Sequence, residues 1–270
     1  DSTAIHWHGI RLENAFDGVP GLTQPAIPPG GAFTYRLRFP DAGMYWYHAH
    51  VREDIQQELG LYANLLVRTA DTAWTPANRE EILMLDDVLV GAGGGQIPLG
   101  RESPTHALMG RFGNVFLVNG QRDYRLAVQR GEVVRFYLTN AANTRTMNLS
   151  FPGASMNVVA ADAGPFLHET SVESVVIAPA ERYVVHVRFD RPGRVALVNQ
   201  VQGLAHLYGR FFPEVDTLGV VEVAPERVAR DFANGFAALK RDTATTRELY
   251  AYLGFLTEPP AKTLVLTLET

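Results

Sequence analysis

The chain has 270 residues, 46% of them hydrophobic, which is enough to bury a sizeable core in about one to three domains. Its formal charge of -5 and the lack of a basic run argue against a nucleic acid or an anionic membrane as its partner. It contains no cysteine, which excludes disulfides and thiolate metal ligands within this sequence. No apolar stretch approaches the ~18 residues that span a bilayer, and no export signal is recognisable at the N-terminus.

Short runs rich in β-branched and aromatic residues recur along the chain, bounded by Gly, Pro, Asn and Asp. Such runs predict β-strands, and a series of short strands predicts antiparallel sandwiches. In chain order, the clearest predicted strands cover residues 33–39, 133–140, 174–177, 183–189 and 218–223.

The C-terminal part has a different pattern. From Val228 to Phe236, apolar side chains recur at the spacing of an amphipathic helix, so we predict a short helical linker over residues 225–258. Residues 262–268 again alternate as in a strand. We therefore expect residues 259–270 to be the first strand of a third domain that is cut short.

The sequence contains an internal repeat. Without any gap, a shift of 150 positions (177 − 27) lays residues 27–50 on residues 177–200. The matched pairs include Ile27 with Ile177, Pro29 with Pro179, Arg38 with Arg188, Phe39 with Phe189 and Gly43 with Gly193. We infer two copies of one β-domain, over residues 1–70 and 78–224. The first copy lacks counterparts of the strand-like residues 114–151, so we expect it to be truncated on its N-terminal side.

Four histidines form two His-x-His pairs that occur only in the first copy. At the same shift, His6, His8, His48 and His50 lie on Met156, Val158, Val198 and Gln200. Residues i and i+2 of a strand project from one face, about 7 Å apart. If the two strands are neighbours, four imidazoles converge, and imidazole binds copper, zinc and iron alike. The pattern therefore predicts a metal site formed by His6, His8, His48 and His50.

Residues 4–67 carry a specific resemblance. The strings IHWHGIRLENAFDGVPG, YWYHAH and ELGLYANLLV are similar to the first cupredoxin domain of multicopper oxidases, the laccase-like enzymes. Residues 78–223 resemble, less specifically, the copper-free second cupredoxin domain of that family, with FLVNGQ near its start. The resemblance implies an all-β fold of tandem cupredoxin-like, Greek-key β-sandwiches with a short helical C-terminal linker. It also implies export to the periplasm or the exterior.

The resemblance further implies a role for each histidine. His6 would bind a type 2 copper and His8 a type 3 copper, while His48 and His50 would bind the two type 3 coppers, one each. They would supply half of the ligands of a trinuclear cluster that reduces dioxygen to water with electrons from a small reducing substrate. Asp17, in the string FDGVP, matches an acidic residue that helps deliver protons in this family, although Asp-Gly is equally an ordinary turn.

The sequence departs from the family in one respect. A complete oxidase has a His-Cys-His segment whose cysteine binds the type 1 copper, and this chain has no cysteine. The remaining histidines form no such motif and are expected to be ordinary core or surface residues: His106, His168, His186 and His206. We therefore expect an incomplete oxidase that is inactive alone, with the copper content of the isolated chain left open.

Two other functions stay open at this stage. The four histidines could hold copper in a module that has no turnover. His6, His8 and Glu13 also imitate one motif of cupins, a class of mononuclear metal enzymes, although a second histidine pair is unusual there. Gln24 and Glu58 have no assigned role. An oligomer of identical chains is also left open.

Overall fold

The computed structural model describes residues 1–68, 74–97, 106, 110–162, 164–205 and 208–267. These residues form three β-sheets followed by short helices; the part with the three-stranded sheet is called the first domain here, and the part with the other two sheets the second domain. The first domain holds an antiparallel sheet of three strands, β1 Ile5–His8, β2 Gly43–Ala49 and β3 Tyr62–Val67, in the order β1-β2-β3. It also holds a 3-10 helix at Asn14–Phe16 and the short helix α1 at Glu53–Gln56.

The second domain is a sandwich of two sheets. Its strands are β4 Arg79–Val88, β5 Val115–Val118, β6 Tyr124–Arg130, β7 Glu132–Asn140, β8 Met147–Ser150, β9 Ser155–Ala161, β10 Gly164–Val172, β11 Val175–Ile177, β12 Arg182–Phe189, β13 Gly193–Ala205 and β14 Arg210–Arg227. One sheet has the order β10-β9-β12-β7-β4-β5 and the other β11-β8-β13-β14-β6. The pairs β4 with β7 and β6 with β14 are parallel, so the connections cross between the sheets rather than forming a simple meander.

The core of the second domain lies between these two sheets. Phe136 and Leu138 of β7, Val187 of β12 and Leu197 of β13 are all at most 1% exposed. The strands predicted in this domain are confirmed as β7, β11 and β12 and as part of the long β14. The predicted all-β fold class is confirmed as well.

The first sheet packs on the outer face of the six-stranded sheet. Met44 of β2 lies in one apolar cluster with Tyr137, and Trp46 lies in another with Met84. From the second domain, Arg182 Nε donates to the carbonyl of Met44 at 3.1 Å. The same side of β2 carries the second histidine pair, so the predicted metal site borders the second domain.

Strand pairing corrects part of the repeat. When the sequence is aligned with itself at the predicted shift, β2 aligns with the start of β13, so His48 corresponds to Val198. In the first domain His6 of β1 lies opposite His48, whereas in the second domain Ser150 of β8 lies opposite Val198. His6 therefore corresponds to Ser150, six positions before the residue that the ungapped shift predicted (156 − 150), because loops between strands vary in length. The functional inference stands, since neither Ser150 nor Pro152, two positions on, is a histidine.

Two predicted strands do not form among the described residues. Residues 33–39 pair with no strand, although Ile5 N donates to the hydroxyl of Tyr35 at 3.1 Å. Residues 262–267 are also unpaired and carry the exposed side chains Leu264 to Leu266, while residue 268 lies outside the described part. A strand forms only where a neighbour pairs with its backbone groups, so alternation alone predicted too much. The third domain stays a prediction.

The helical linker begins later than predicted because β14 continues to Arg227. The helices are α2 Ala233–Ala238, α3 Thr243–Tyr252 and a 3-10 helix at Leu253–Thr257. Asp242 caps α3 by accepting a hydrogen bond from Thr245 N, and Phe236 of α2 is buried. Among the described residues, no helix combines the length and apolar character that a membrane span needs.

Candidate metal centre

The two His-x-His pairs lie on neighbouring strands and face the same side of the first sheet. β1 and β2 are antiparallel, and His6 lies opposite His48. The ring centroid of His6 is 5.4 Å from that of His8, 5.4 Å from that of His48 and 5.3 Å from that of His50. Trp7 faces the other side of the sheet, as strand alternation requires. The structure thus brings all four predicted ligands together.

Three of the histidines present nitrogen atoms to one small space. One ring nitrogen each of His6, His8 and His48 lies within 4.8 Å of the other two. The closest pair is His8 Nδ1 and His48 Nε2, at 3.4 Å. Imidazole nitrogens at such separations suit copper among other transition metals, so the donor set fits a copper ion.

Backbone carbonyls select which nitrogen of two rings is free. The carbonyl of Asp17 lies 2.7 Å from His6 Nδ1, and the carbonyl of Ala49 lies 3.0 Å from His48 Nδ1. A carbonyl only accepts hydrogen bonds, so Nδ1 of each ring carries the proton. Nε2 of each ring therefore keeps its lone pair for a metal.

His50 is close to the cluster but does not belong to the group of three. Its Nε2 lies 3.6 Å from Oε1 of Glu53 on α1. Its ring centroid is nevertheless 5.9 Å from that of His48. Its backbone N donates to the carbonyl of Ala4 at 2.9 Å, which fixes the main chain at this point.

Burial keeps two rings of the cluster neutral. Burial first, and then the positive charge of Arg182, lower the pKa of His8 to about 3. Burial also lowers the pKa of His48, although the hydrogen bond to Ala49 opposes it. A metal ion binds the neutral imidazole, so at neutral pH both rings are already in the form that binds.

Comparison with known proteins identifies the family to which this donor set belongs. Two family models, both described as multicopper oxidase, match residues 1–72 and residues 93–209. The multicopper oxidase MmcO of Mycobacterium tuberculosis is 32% identical over 219 residues, which are 69% of this chain and 42% of MmcO. The chain belongs to the multicopper oxidase family. Its members are oxidoreductases that use copper, dioxygen and a reducing substrate.

Two further relatives match this chain in sequence or fold over a large part of its length. The oxidoreductase OpS5 of Beauveria bassiana is 29% identical over 248 residues, which are 85% of this chain and 40% of OpS5. The crystal structure of a multi-copper oxidase from Pseudomonas thermotolerans matches with a TM-score of 0.70 and 29% identity, over 86% of this chain and 52% of that one. The chain thus spans about half, or less, of the length of these three proteins.

Asp17 lies beside the cluster, where the multicopper oxidase resemblance placed an acidic residue. Its carboxylate Oδ1 is 3.5 Å from His6 Nδ1, and its side chain is 33% exposed. The next residue, Gly18, has a φ of +83°, and a Cβ there would come within 1.8 Å of the carbonyl of Ile5. The Asp-Gly turn expected from sequence is therefore also the feature that presses Asp17 against β1.

Tyr62 and Asp86, which the sequence analysis did not single out, connect the histidine cluster to the domain boundary. Tyr62 of β3 lies opposite His48, and its hydroxyl donates to Asp86 of β4. Burial raises the pKa of Asp86 to about 7, although the hydrogen bond from Tyr62 opposes this. Both side chains line a cavity of about 670 Å³ between the domains. No local signal could have found this pair, since its members lie 24 positions apart in different domains.

Mild acid should stabilise the fold through Asp86. Its pKa is about 7 in the folded chain and 3.8 in the unfolded one, so the folded chain takes up a proton first as the pH falls. The free energy of unfolding should gain up to about 1.4 kcal/mol per pH unit between about pH 7 and about pH 4. The variant Asp86→Asn cannot take up this proton. As the pH falls from about 7.5 to about 5, its free energy of unfolding should therefore fall relative to that of the wild type.

Urea unfolding at both pH values measures the effect. The same substitution at the exposed Asp123 is the matched control for the exchange of a carboxylate for an amide. Other titrating groups, such as the buried His186, contribute equally to all three proteins and cancel in the comparison. Identical pH dependence in Asp86→Asn and the wild type would show that Asp86 titrates normally.

Glu58 and Gln24, to which the sequence analysis assigned no role, are buried structural residues. Glu58 is 6% exposed, and its carboxylate accepts from Arg111 Nε at 3.0 Å and from Asn143 Nδ2 at 3.0 Å. Burial raises the pKa of Glu58, and the contact with Arg111 opposes the rise. Gln24 Nε2 donates to the carbonyl of Pro25 at 3.2 Å. Glu58 thus ties the first domain to the second.

None of the remaining histidines that the structure describes belongs to the group of close donor atoms. His186 is fully buried, and its Nε2 accepts from Arg135 Nε at 2.9 Å; burial lowers its pKa to about 3. His168 is exposed, His106 is half-buried, and His206 lies outside the described residues. Glu13, which the cupin-like alternative needs as a ligand, is exposed and does not belong to the group of close donor atoms.

Proposed function

We propose that this chain forms one half of the copper cluster at which a multicopper oxidase reduces dioxygen. In this proposal His6 serves a type 2 copper, and His8, His48 and His50 serve the type 3 pair. The observation that carries it is the group of three imidazole nitrogens within 4.8 Å of one another. Copper bound there supplies one-electron chemistry, by which electrons from a small reducing substrate reach dioxygen.

The residues of the chain prepare this site in advance. The carbonyls of Asp17 and Ala49 orient His6 and His48 with Nε2 free, and burial lowers the pKa of His48. The carboxylate of Asp17 lies next to the ring of His6 and is partly exposed to solvent, so we propose that it relays protons into the site. Because the ring of His50 faces Glu53, we further propose that a rotation of its side chain completes the set of four.

Turnover requires groups that the 270 residues do not contain. There is no cysteine for a type 1 copper, and the chain spans less than half of its relatives OpS5 and MmcO. We propose that the electron-entry copper, the other cluster ligands and the substrate site lie outside this sequence, and that the chain alone does not oxidise substrate. Export from the cytoplasm and assembly of identical chains also stay proposals.

Copper binding tests the ligand assignment. The double variant His6→Ala/His48→Ala removes two of the three close donors, so it should weaken copper binding by about 100-fold or more. Dialysis against copper followed by metal analysis measures the copper retained per chain. His168→Ala, at an exposed histidine outside the cluster, is the matched control and should bind copper as the wild type does. Equal copper in the double variant and the wild type would refute the assignment.

A copper-binding module without turnover is the second candidate, because the chain lacks a type 1 ligand. Electron paramagnetic resonance separates the two functions. Two coppers that share a site couple magnetically and lose their signal, so half of a trinuclear cluster should give clearly fewer spins than bound copper ions. One spin per bound copper would favour the module.

A further inference from the structure

Trp46 contacts two of the proposed ligands through its ring face. Its indole stacks on His48, with ring centroids 4.5 Å apart and planes 28° apart. It also lies 5.1 Å from the ring of His8, with the planes at 33°. The strand register produces both contacts, because Trp46 lies opposite His8 and two positions before His48 on the same face of β2.

The second domain holds this indole in place. Trp46 is 1% exposed and forms one buried cluster with Met84 of β4 and Ala141, which follows β7. Tyr62 of β3 lies against it edge-on, with ring centroids 6.5 Å apart. The indole is therefore enclosed by the first sheet on one side of the boundary and by the second domain on the other.

A fixed indole limits how the two imidazoles turn. The second side-chain torsion of a histidine is broad, so an unsupported ring samples many orientations. If folding already restricts the rings, metal binding does not reduce their side-chain entropy further, so the entropic cost of binding is smaller. The nitrogens of His8 and His48, which face each other at 3.4 Å, gain most from such a restraint.

We propose that Trp46 is a positioning residue for the copper site and that the second domain acts on the site through it. The inference rests on the proposed function, because it concerns the same four histidines. It assigns a task to the second domain, whose described residues contribute none of the close donor atoms: the packing of Met84 on Trp46 fixes the ring planes of His8 and His48.

Copper affinity of the 270-residue chain, measured by competition with a chelator of known strength, tests the inference. Trp46→Leu keeps an apolar side chain but loses the flat ring, so affinity should fall by about tenfold. Trp46→Phe keeps a ring and should recover part of the loss. Trp7→Leu is the matched control, because Trp7 contacts Tyr35 and Tyr47 on the opposite face, and it should not change affinity.

A double-mutant cycle tests the path through the second domain. Met84→Ala should weaken copper binding severalfold in the wild type but should have no effect in Trp46→Leu, where the indole is already gone. Met156→Ala, in the main core of the second domain, controls for lost stability and should leave affinity unchanged. Urea unfolding of each variant confirms that the comparison is made on folded protein.

The outcomes are distinct. Wild-type affinity in Trp46→Leu, or an equal effect of Met84→Ala in both backgrounds, overturns the inference. Copper paramagnetic resonance adds a readout that lost stability alone would not move, since looser ligands should broaden the signal in Trp46→Leu and less so in Trp46→Phe. A wild-type chain whose copper binding does not depend on His6 and His48 would instead overturn the proposed function.

Discussion

Gly18→Ala should lower the free energy of unfolding of the first domain by about 3 kcal/mol or more in total. This loss is larger than an unfavourable φ alone would cause. The φ of Gly18 is +83°, and an added Cβ would lie 1.8 Å from the carbonyl oxygen and 2.6 Å from the carbonyl carbon of Ile5. Both atoms are backbone, so no side chain can move aside. The turn must retreat from β1, and the carbonyl and carboxylate of Asp17 must leave the ring of His6.

Gly21→Ala separates the clash from the backbone strain. Gly21 has nearly the same φ, +79°, but a Cβ there would meet nothing within 4 Å, so this variant should lose only about 1 kcal/mol. Urea unfolding measures both losses, and hydrogen exchange of the β1 amides locates the opening. Copper affinity should fall in Gly18→Ala and stay unchanged in Gly21→Ala. Equal stability of the two variants would show that the turn does not press on β1.

The position of the histidines could be predicted because strand geometry is local. The i, i+2 spacing of each pair determines its face without knowledge of the rest of the fold. The meeting of the pairs needed one further condition, that β1 and β2 are neighbours, and the structure meets it. The repeat contributed the contrast with the second domain, although the counterpart of His6 is Ser150 and not the residue at the ungapped shift.

Contacts between distant residues were not predictable. The stacking of Trp46 on His48 depends on the register of two strands and on Met84 of the next domain. Tyr62 and Asp86 meet across the domain boundary, where no sequence period applies. Residues 33–39 show the opposite error, because an alternating pattern gives the propensity for a strand but not the neighbour that the strand needs.

Asp87→Ala should lower the free energy of unfolding by about 3–5 kcal/mol, because it leaves a buried guanidinium without its counter-charge. Asp87 is 2% exposed, and its Oδ2 accepts from Arg145 Nε and from the backbone N of Gly113, both at 2.6 Å. Arg145 is itself only 9% exposed, with its guanidinium over the ring of Phe116 at 4.9 Å. Loss of the carboxylate therefore strands a charge and a backbone donor that water cannot reach.

An exposed ion pair of similar length provides the control. Asp54 and Arg52 are 2.8 Å apart, but both side chains are more than half exposed, so Asp54→Ala should cost less than about 1 kcal/mol. In the double variant Asp87→Ala/Arg145→Met the stranded charge is gone, and stability should recover in part relative to Asp87→Ala. Urea unfolding of all four proteins measures these differences. A loss in Asp87→Ala no larger than in Asp54→Ala would mean that water reaches Arg145, and this part of the second domain would then be more open than its burial indicates.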